Sequence, residues 1–171
     1  MDNVVDVVTD DDHWNMFDME EMASRALDAV ATKLDLVNGP YELSILACDD
    51  ARIANLNTEF RGKYTPTNVL SWPAHELQPA VAGGKPDALP LADFGDPFVN
   101  IGDIAISFQT CQKEAEAAGI ETKHHITHLL VHGILHLLGY DHETDADAEM
   151  METLEIDLLD TMGIGNPYKN V

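Results

Sequence analysis

His132-Gly133-Ile134-Leu135-His136-Leu137-Leu138-Gly139-Tyr140-Asp141-His142 carries the pattern H-x3-H-x2-G-x2-H. Histidines four residues apart on a helix share one face, a turn above each other, so both imidazoles can reach a single metal ion. Gly139 falls three residues after the second histidine, where a helix needs φ > 0 to turn back. That reversal brings His142 round as a third ligand. Three nitrogen donors with an open fourth position describe a catalytic zinc site rather than a closed structural one. The candidate metal ligands are therefore His132, His136 and His142, for one Zn2+ per chain.

The spacing is that of the long zinc signature of the metzincin proteases, H-E-x-x-H-x-x-G-x-x-H, with one departure. Gly133 stands where those enzymes carry the glutamate general base. The metal cage is present and the protease base is absent. Six of the eight histidines lie between 124 and 142. His128, one turn before His132, either serves the site by orienting a ligand, touching substrate or transferring a proton, or is a buried structural histidine. His124 and His125 read as surface residues near the helix start.

Working outward, residues 121–138 are apolar nearly all round, as a central buried helix should be. The rest of the chain reads as an α+β order. Strands are expected at 4–8, 41–48, 69–72 and 101–107. Helices are expected at 16–37 (closed by Asn38-Gly39-Pro40), from Asp49 or Asp50 to about Phe60, at 109–118, at 121–138 and at 145–162. Residues 61–68 read as a loop. Residues 73–100 hold five of the eight prolines plus Gly83-Gly84 and read as a long irregular loop with scope for movement. No internal repeat or linker interrupts the chain, and residues 1–171 are expected to form one domain around one core.

The net charge is −22, from 31 acids against nine Lys and Arg. Residues 1–21 carry eight acids and residues 141–160 carry nine, with no Lys or Arg in either segment. Both runs read as solvated faces. A polyanion can then bind only at a local site built from a metal and a few cations. Arg61 and Lys63 form the one such close pair. The first residues have neither a basic nor an apolar signal region, and no run of 18 apolar residues occurs, so a cytoplasmic protein without membrane contact is expected. Cys48 and Cys111 lack metal-type spacing and read as buried thiols.

The zinc stretch, with Gly-Tyr-Asp between the second and third histidines, resembles the signature of the YbeY-type endoribonucleases, the ribosomal RNA maturation factors. Three further stretches match in order: Leu56-Asn57…Phe60-Arg61-Gly62-Lys63, Thr65-Pro66-Thr67-Asn68-Val69-Leu70-Ser71-Trp72-Pro73, and Gly102-Asp103-Ile104-Ala105-Ile106-Ser107. The resemblance covers roughly residues 40–165. It implies a zincin-like α+β fold with a four-stranded sheet beside the helices. It also implies a zinc-dependent, single-strand-specific endoribonuclease that matures the 3′ end of small-subunit (16S) ribosomal RNA and serves ribosome quality control. Single-stranded and ribosomal RNA, with ribosomal or ribosome-associated proteins, are the implied partners. The family's metal histidines fall on His132, His136 and His142, and its key arginine on Arg61. Two departures touch the substrate channel rather than the metal: Tyr64 occupies a place where the family often has aspartate, and the 73–100 loop is long.

The residues support this chemistry on their own terms. Zinc on three neutral imidazoles lowers the pKa of bound water to about 7. A guanidinium matches two phosphate oxygens in a fork, which suits Arg61, whose plainer reading is a surface arginine at a helix end. Asp141 either caps a turn or bonds a ligand histidine. The candidate catalytic set is Arg61, His132 and His128, and no residue announces itself as the general base. Asp103 reads as structural rather than as a support for the site. Ser71 and Ser107 lack a nucleophile elbow, and there is no P-loop. Three rivals remain: a zinc metalloprotease of the same fold, with a base recruited from elsewhere such as Glu143; a non-catalytic ribosome-associated zinc protein; and a metal-dependent hydrolase of small molecules.

Overall fold

The structure, a computed structural model, describes residues 2–168. The chain runs β1 (Val4–Thr9), a 3-10 turn (Asp12–Met16), α1 (Met19–Lys33), β2 (Tyr41–Cys48), α2 (Asp50–Arg61), β3 (Val69–Pro73), β4 (Val99–Ser107), α3 (Phe108–Ala118), α4 (Thr122–Leu137) and α5 (Asp145–Thr161). The four strands form one sheet in the order β1-β2-β4-β3. β1, β2 and β4 are parallel, and β3 runs antiparallel to β4 with Leu70 opposite Ala105. The fold is the expected α+β class.

Strand alternation divides the core in two. Leu43, Ile45, Ala47, Ile104 and Ile106 point to the large face, where they meet α1, α4 and α5. Cys48, Leu70 and Ala105 point the other way, against Ile53 of α2, with Leu46, Leu56 and Trp72 beside them. α4 is the centre of the large side, and its Ile126, Leu130, Ile134 and Leu135 are fully buried. Each such side chain contributes about 1.5–3 kcal/mol of transfer free energy. Cys48 and Cys111 are both buried, and burial pushes the Cys48 thiol up to about 12.

Element ends are set by identifiable caps. Asp49 accepts from Arg52 N–H at 2.8 Å and opens α2, and Thr144 accepts from Asp147 N–H at 3.2 Å and opens α5. The first helix differs from expectation at both ends. It starts at Met19, because a 3-10 turn first buries Trp14, whose indole donates to the Cys48 carbonyl at 2.8 Å, and Asp18 then caps by accepting from Glu21 N–H. It stops at Lys33, where Asp35 takes φ of 55° and Leu36 N–H bonds back to the Ala31 carbonyl at 3.0 Å. Leu34 and Leu36 still pack against the core. Their apolar signal therefore runs on past the helix.

The 73–98 segment is irregular but anchored. Leu77 and Leu89 are buried, Asp87 N–H bonds the Leu77 carbonyl at 2.9 Å, and Asn38 Nδ2 donates to the Leu89 carbonyl at 2.7 Å. Gly83 N–H reaches Asp147 Oδ1 at 2.8 Å. These bonds tie the loop to α5 and to the turn after α1.

Candidate metal centre

α4 carries His132 and His136 on its last two turns, and the chain then reverses at Gly139, where φ is 100°. A β-carbon at Gly139 would stand 2.7 Å from the Leu77 carbonyl oxygen, so the turn needs glycine for both conformation and space. The reversal returns His142 to the helix face. Ring centroids of His142 lie 5.4 Å from His132 and 5.0 Å from His136, and one nitrogen of each of the three rings falls within 4.8 Å of the others. The spacing expected from sequence closes in space.

The hydrogen-bond partners of the rings decide which nitrogens are free to bind a cation. His136 Nδ1 faces the Tyr140 carbonyl at 3.0 Å, which can only accept, so Nδ1 carries the proton. His132 Nδ1 faces the Glu155 carboxylate at 3.1 Å and likewise donates. The two Nε2 atoms that remain are 3.0 Å apart. In the neutral rings both are lone pairs, and two lone pairs at that distance repel unless a cation lies between them. Tetrahedral zinc at 2.0–2.1 Å from each nitrogen would set them about 3.3 Å apart. Burial, reinforced by His132 and His142, holds His136 down to about 4, so its ring is neutral and ready to bind metal at ordinary pH. The donor set fits a metal cation.

Glu155 is the functional residue that the sequence reading missed. It sits on α5, fully buried, and accepts from His128 Nε2 at 2.7 Å, from His132 Nδ1 at 3.1 Å and from the Tyr168 hydroxyl at 3.0 Å. Burial alone would raise its pKa. The histidine hydrogen bonds and charges outweigh that and hold it down to about 2. Glu155 thereby fixes the tautomer of His132 and points its Nε2 at the metal position. A signal for it exists in the sequence. Met151, Glu155, Leu158 and Leu159 share a helical stripe, and Glu155 is the acid on it.

A cleft of about 700 Å³ opens over the triad. Its walls include His132, His136 and His142, Arg61 at the end of α2, Phe60, Ser71 of β3, Asp141 and Glu143. Arg61 is the last residue of the helix rather than part of a loop, and Gly62 caps it with φ of 71°. The structure thus brings Arg61 to the same cavity as the histidines across some 70 residues of chain. His128 does not line the cleft. It stands one layer back, bonded to Glu155 and edge-on to Tyr168, so the proton-transfer role expected for it lacks direct access to a substrate. Asp141 bonds no imidazole; it accepts from His142 N–H at 2.7 Å and from Gln78 Nε2 at 3.3 Å. His125 is not a free surface residue, for its Nε2 meets Glu114 at 2.9 Å, whereas His124 sits near exposed Glu121 at 3.4 Å. Asp103 is exposed on β4, and Tyr64 is exposed and does not line the cleft.

Gly133 is occupied by packing. A β-carbon there would lie 2.9 Å from Ile104 Cδ1 and 3.3 Å from Ser71 Oγ. Any larger residue, the protease glutamate included, would have to push aside the buried Ile104.

The family model for Endoribonuclease YbeY matches residues 5–163. The chain belongs to this family. An Endoribonuclease YbeY from Dinoroseobacter shibae is 54% identical over 166 residues, covering 96% of this chain and 90% of that protein. One from Jannaschia sp. is 49% identical over 164 residues, covering 96% and 99%. A Thermotoga maritima protein solved in solution superposes with a TM-score of 0.54 at 17% identity, over 97% of this chain and 99% of that one, which bears on the fold alone. Among the described residues no helix is long and apolar enough to cross a membrane.

Proposed function

We propose that residues 1–171 form a single zinc endoribonuclease domain, specific for single strands. It matures the 3′ end of small-subunit (16S) ribosomal RNA and takes part in ribosome quality control in the cytoplasm, with ribosomal or ribosome-associated proteins as partners. The observation that carries the reading is the meeting in one cleft of Arg61 with the paired Nε2 atoms of His132 and His136 and the ring of His142. His132, His136 and His142 hold the metal. Zinc on three neutral imidazoles supplies a water activated near neutral pH and positive charge for phosphate oxygens. Arg61 grips the phosphate with its planar fork and neutralises charge that grows as the phosphodiester is attacked. Glu155 keeps His132 in the ligating tautomer. His128 acts through Glu155 as a positioning residue.

The test is incubation of the metal-loaded chain with single-stranded RNA, with duplex RNA and with casein, each with and without chelator. Chelator-sensitive cleavage of the single strand alone is expected. Casein cleavage by highly purified protein would favour the protease reading, against which stands the packing of Gly133 on Ile104. Metal binding with no cleavage of any substrate would leave a non-catalytic zinc protein.

A further inference from the structure

Phe60 lies on the last turn of α2, lines the metal cleft and is 47% exposed. A lone exposed aromatic is ordinary. Phe60 is set apart by where it stands and how it is held. Tyr64 and Phe94 are more exposed, at 68% and 108%, and neither lines the cleft. The Phe60 ring is braced by Trp72 of β3, with centroids 5.4 Å apart and planes at 64°. Trp72 in turn packs on the small core of Cys48, Ile53, Leu70 and Ala105. The Arg61 guanidinium carbon lies 5.9 Å from the Phe60 centroid. A flat apolar surface anchored to the sheet therefore stands beside the one Lys or Arg that lines the cleft among the described residues.

Charge says why such a surface matters. The protein carries −22, and Asp141 and Glu143 line the same cleft. Among the described residues Arg61 is the one Lys or Arg lining the cleft, so uncharged contacts must carry part of the grip on a nucleic acid. Aromatic stacking provides it and tolerates every base, because every base has a π face. A base inside a duplex already spends both faces on its neighbours and cannot offer one.

We propose that Phe60, braced by Trp72, is a stacking site for one unpaired nucleobase, beside the phosphate held by Arg61. The inference rests on reading the cleft as an RNA-cleaving site. It names a cause for the single-strand preference: the enzyme engages a base only after that base has left its stack.

The experiment compares native protein, Phe60→Ala, Phe60→Leu and Phe60→Trp, all zinc-loaded, on one single-stranded RNA and on a set of the same RNA with an abasic residue walked along it. Phe60→Ala should raise KM roughly 5- to 150-fold, the range for losing one base–aromatic stack, with kcat near native. Phe60→Trp should restore the native KM. Phe60→Leu, which keeps an apolar contact for Trp72 but no ring, should behave as alanine does, and it is the variant to read if alanine disturbs folding. At one abasic position the native enzyme should fall to the level of Phe60→Leu, and the substitution should then have no further effect. Equal loss at every abasic position, or native KM in Phe60→Leu, would overturn the proposal. If the native chain cleaves no RNA, the functional reading fails by itself. The stacking site is then judged by the affinity of a short oligonucleotide carrying 2-aminopurine, whose quenching should weaken in Phe60→Leu; unchanged affinity would overturn it.

Discussion

Replacing Glu155 by glutamine keeps the shape of the side chain and removes its charge. In the native protein this fully buried carboxylate accepts from His128 at 2.7 Å, His132 at 3.1 Å and Tyr168 at 3.0 Å. A glutamine offers one accepting oxygen, and its NH2 donates where an oxygen had accepted. Both histidines bond Oε1, and Oε2 takes only the Tyr168 hydroxyl, so a glutamine with its carbonyl at Oε1 keeps both contacts but loses the charge that strengthens them, and the longer bond, to His132 Nδ1, is left the weaker. His132 is then held less firmly in the tautomer that leaves Nε2 free to bind metal. Losing an outer partner of this kind weakens metal binding roughly 10- to 100-fold, or about 1.4–2.7 kcal/mol. Glu155→Ala goes further. It leaves three donors without an acceptor, at a cost of about 1–3 kcal/mol for each unmet hydrogen bond. The assay is zinc titration against a chromophoric chelator for native and Glu155→Gln protein, with thermal melts of both metal-free forms. Glutamine should weaken zinc while the metal-free melt stays near native. A well-folded Glu155→Gln chain that binds zinc within about twofold of native would refute the tautomer argument.

Three further outcomes follow from the geometry. His136→Ala should lose most bound zinc by elemental analysis while His124→Ala retains it, and full occupancy in His136→Ala would reject the site. Gly139→Ala should destabilise by at least about 1–3 kcal/mol, because φ is 100° and the Leu77 carbonyl blocks the new methyl; an unchanged denaturation midpoint would contradict the turn. Asp11 is held down to about 2 by the His13 backbone N–H and by Gln109, so its stabilisation is full above its ordinary value of 3.8 and fades as pH falls through about 2. Melts of Asp11→Asn against native should therefore differ above pH 4 and converge near pH 2, whereas a constant gap across that range would show that the charge is not the cause.

The clustering of His132, His136 and His142 was legible because one helix and one turn hold all of it, and local spacing determines local geometry. Strand positions were legible for the same reason: Leu43, Ile45 and Ala47 alternate with Ser44 and Leu46 in the sequence as they do across the sheet. What stayed hidden depends on contacts between distant segments. Trp14 gives no sign in its own neighbourhood that it will bond the Cys48 carbonyl and delay α1. Glu155 was concealed by its company, nine acids in 141–160 that read as one solvated face. Eight of those nine conform to that reading to differing degrees, and the exception is the one on the apolar stripe. Arg61 could be tied to the cleft only through family resemblance, because the helix that carries it lies on the opposite side of the sheet from α4.

The charge distribution leads to the last prediction. Acidic residues dominate both 1–21 and 141–160, and among the described residues Arg61 is the one Lys or Arg lining the cleft, with Lys63 two positions on. Single-stranded binding loses about 0.7 in log affinity per log salt for each phosphate contact. One or two contacts therefore give a slope of about −0.7 to −1.4, far shallower than a basic RNA-binding protein shows. Arg61→Ala should flatten the slope by about 0.7. A forked phosphate contact contributes about 1.5–3 kcal/mol, so its loss should also lower kcat/KM roughly 10- to 150-fold. Arg61→Lys separates the two effects: an ammonium restores the charge and with it the salt slope, but cannot form the fork, so only part of the rate returns. Zinc content should hold throughout, because Arg61 is exposed at the end of α2 and contacts no ligand histidine. Native slope and rate in Arg61→Ala would remove the arginine from the phosphate, and loss of zinc together with rate would make its role structural.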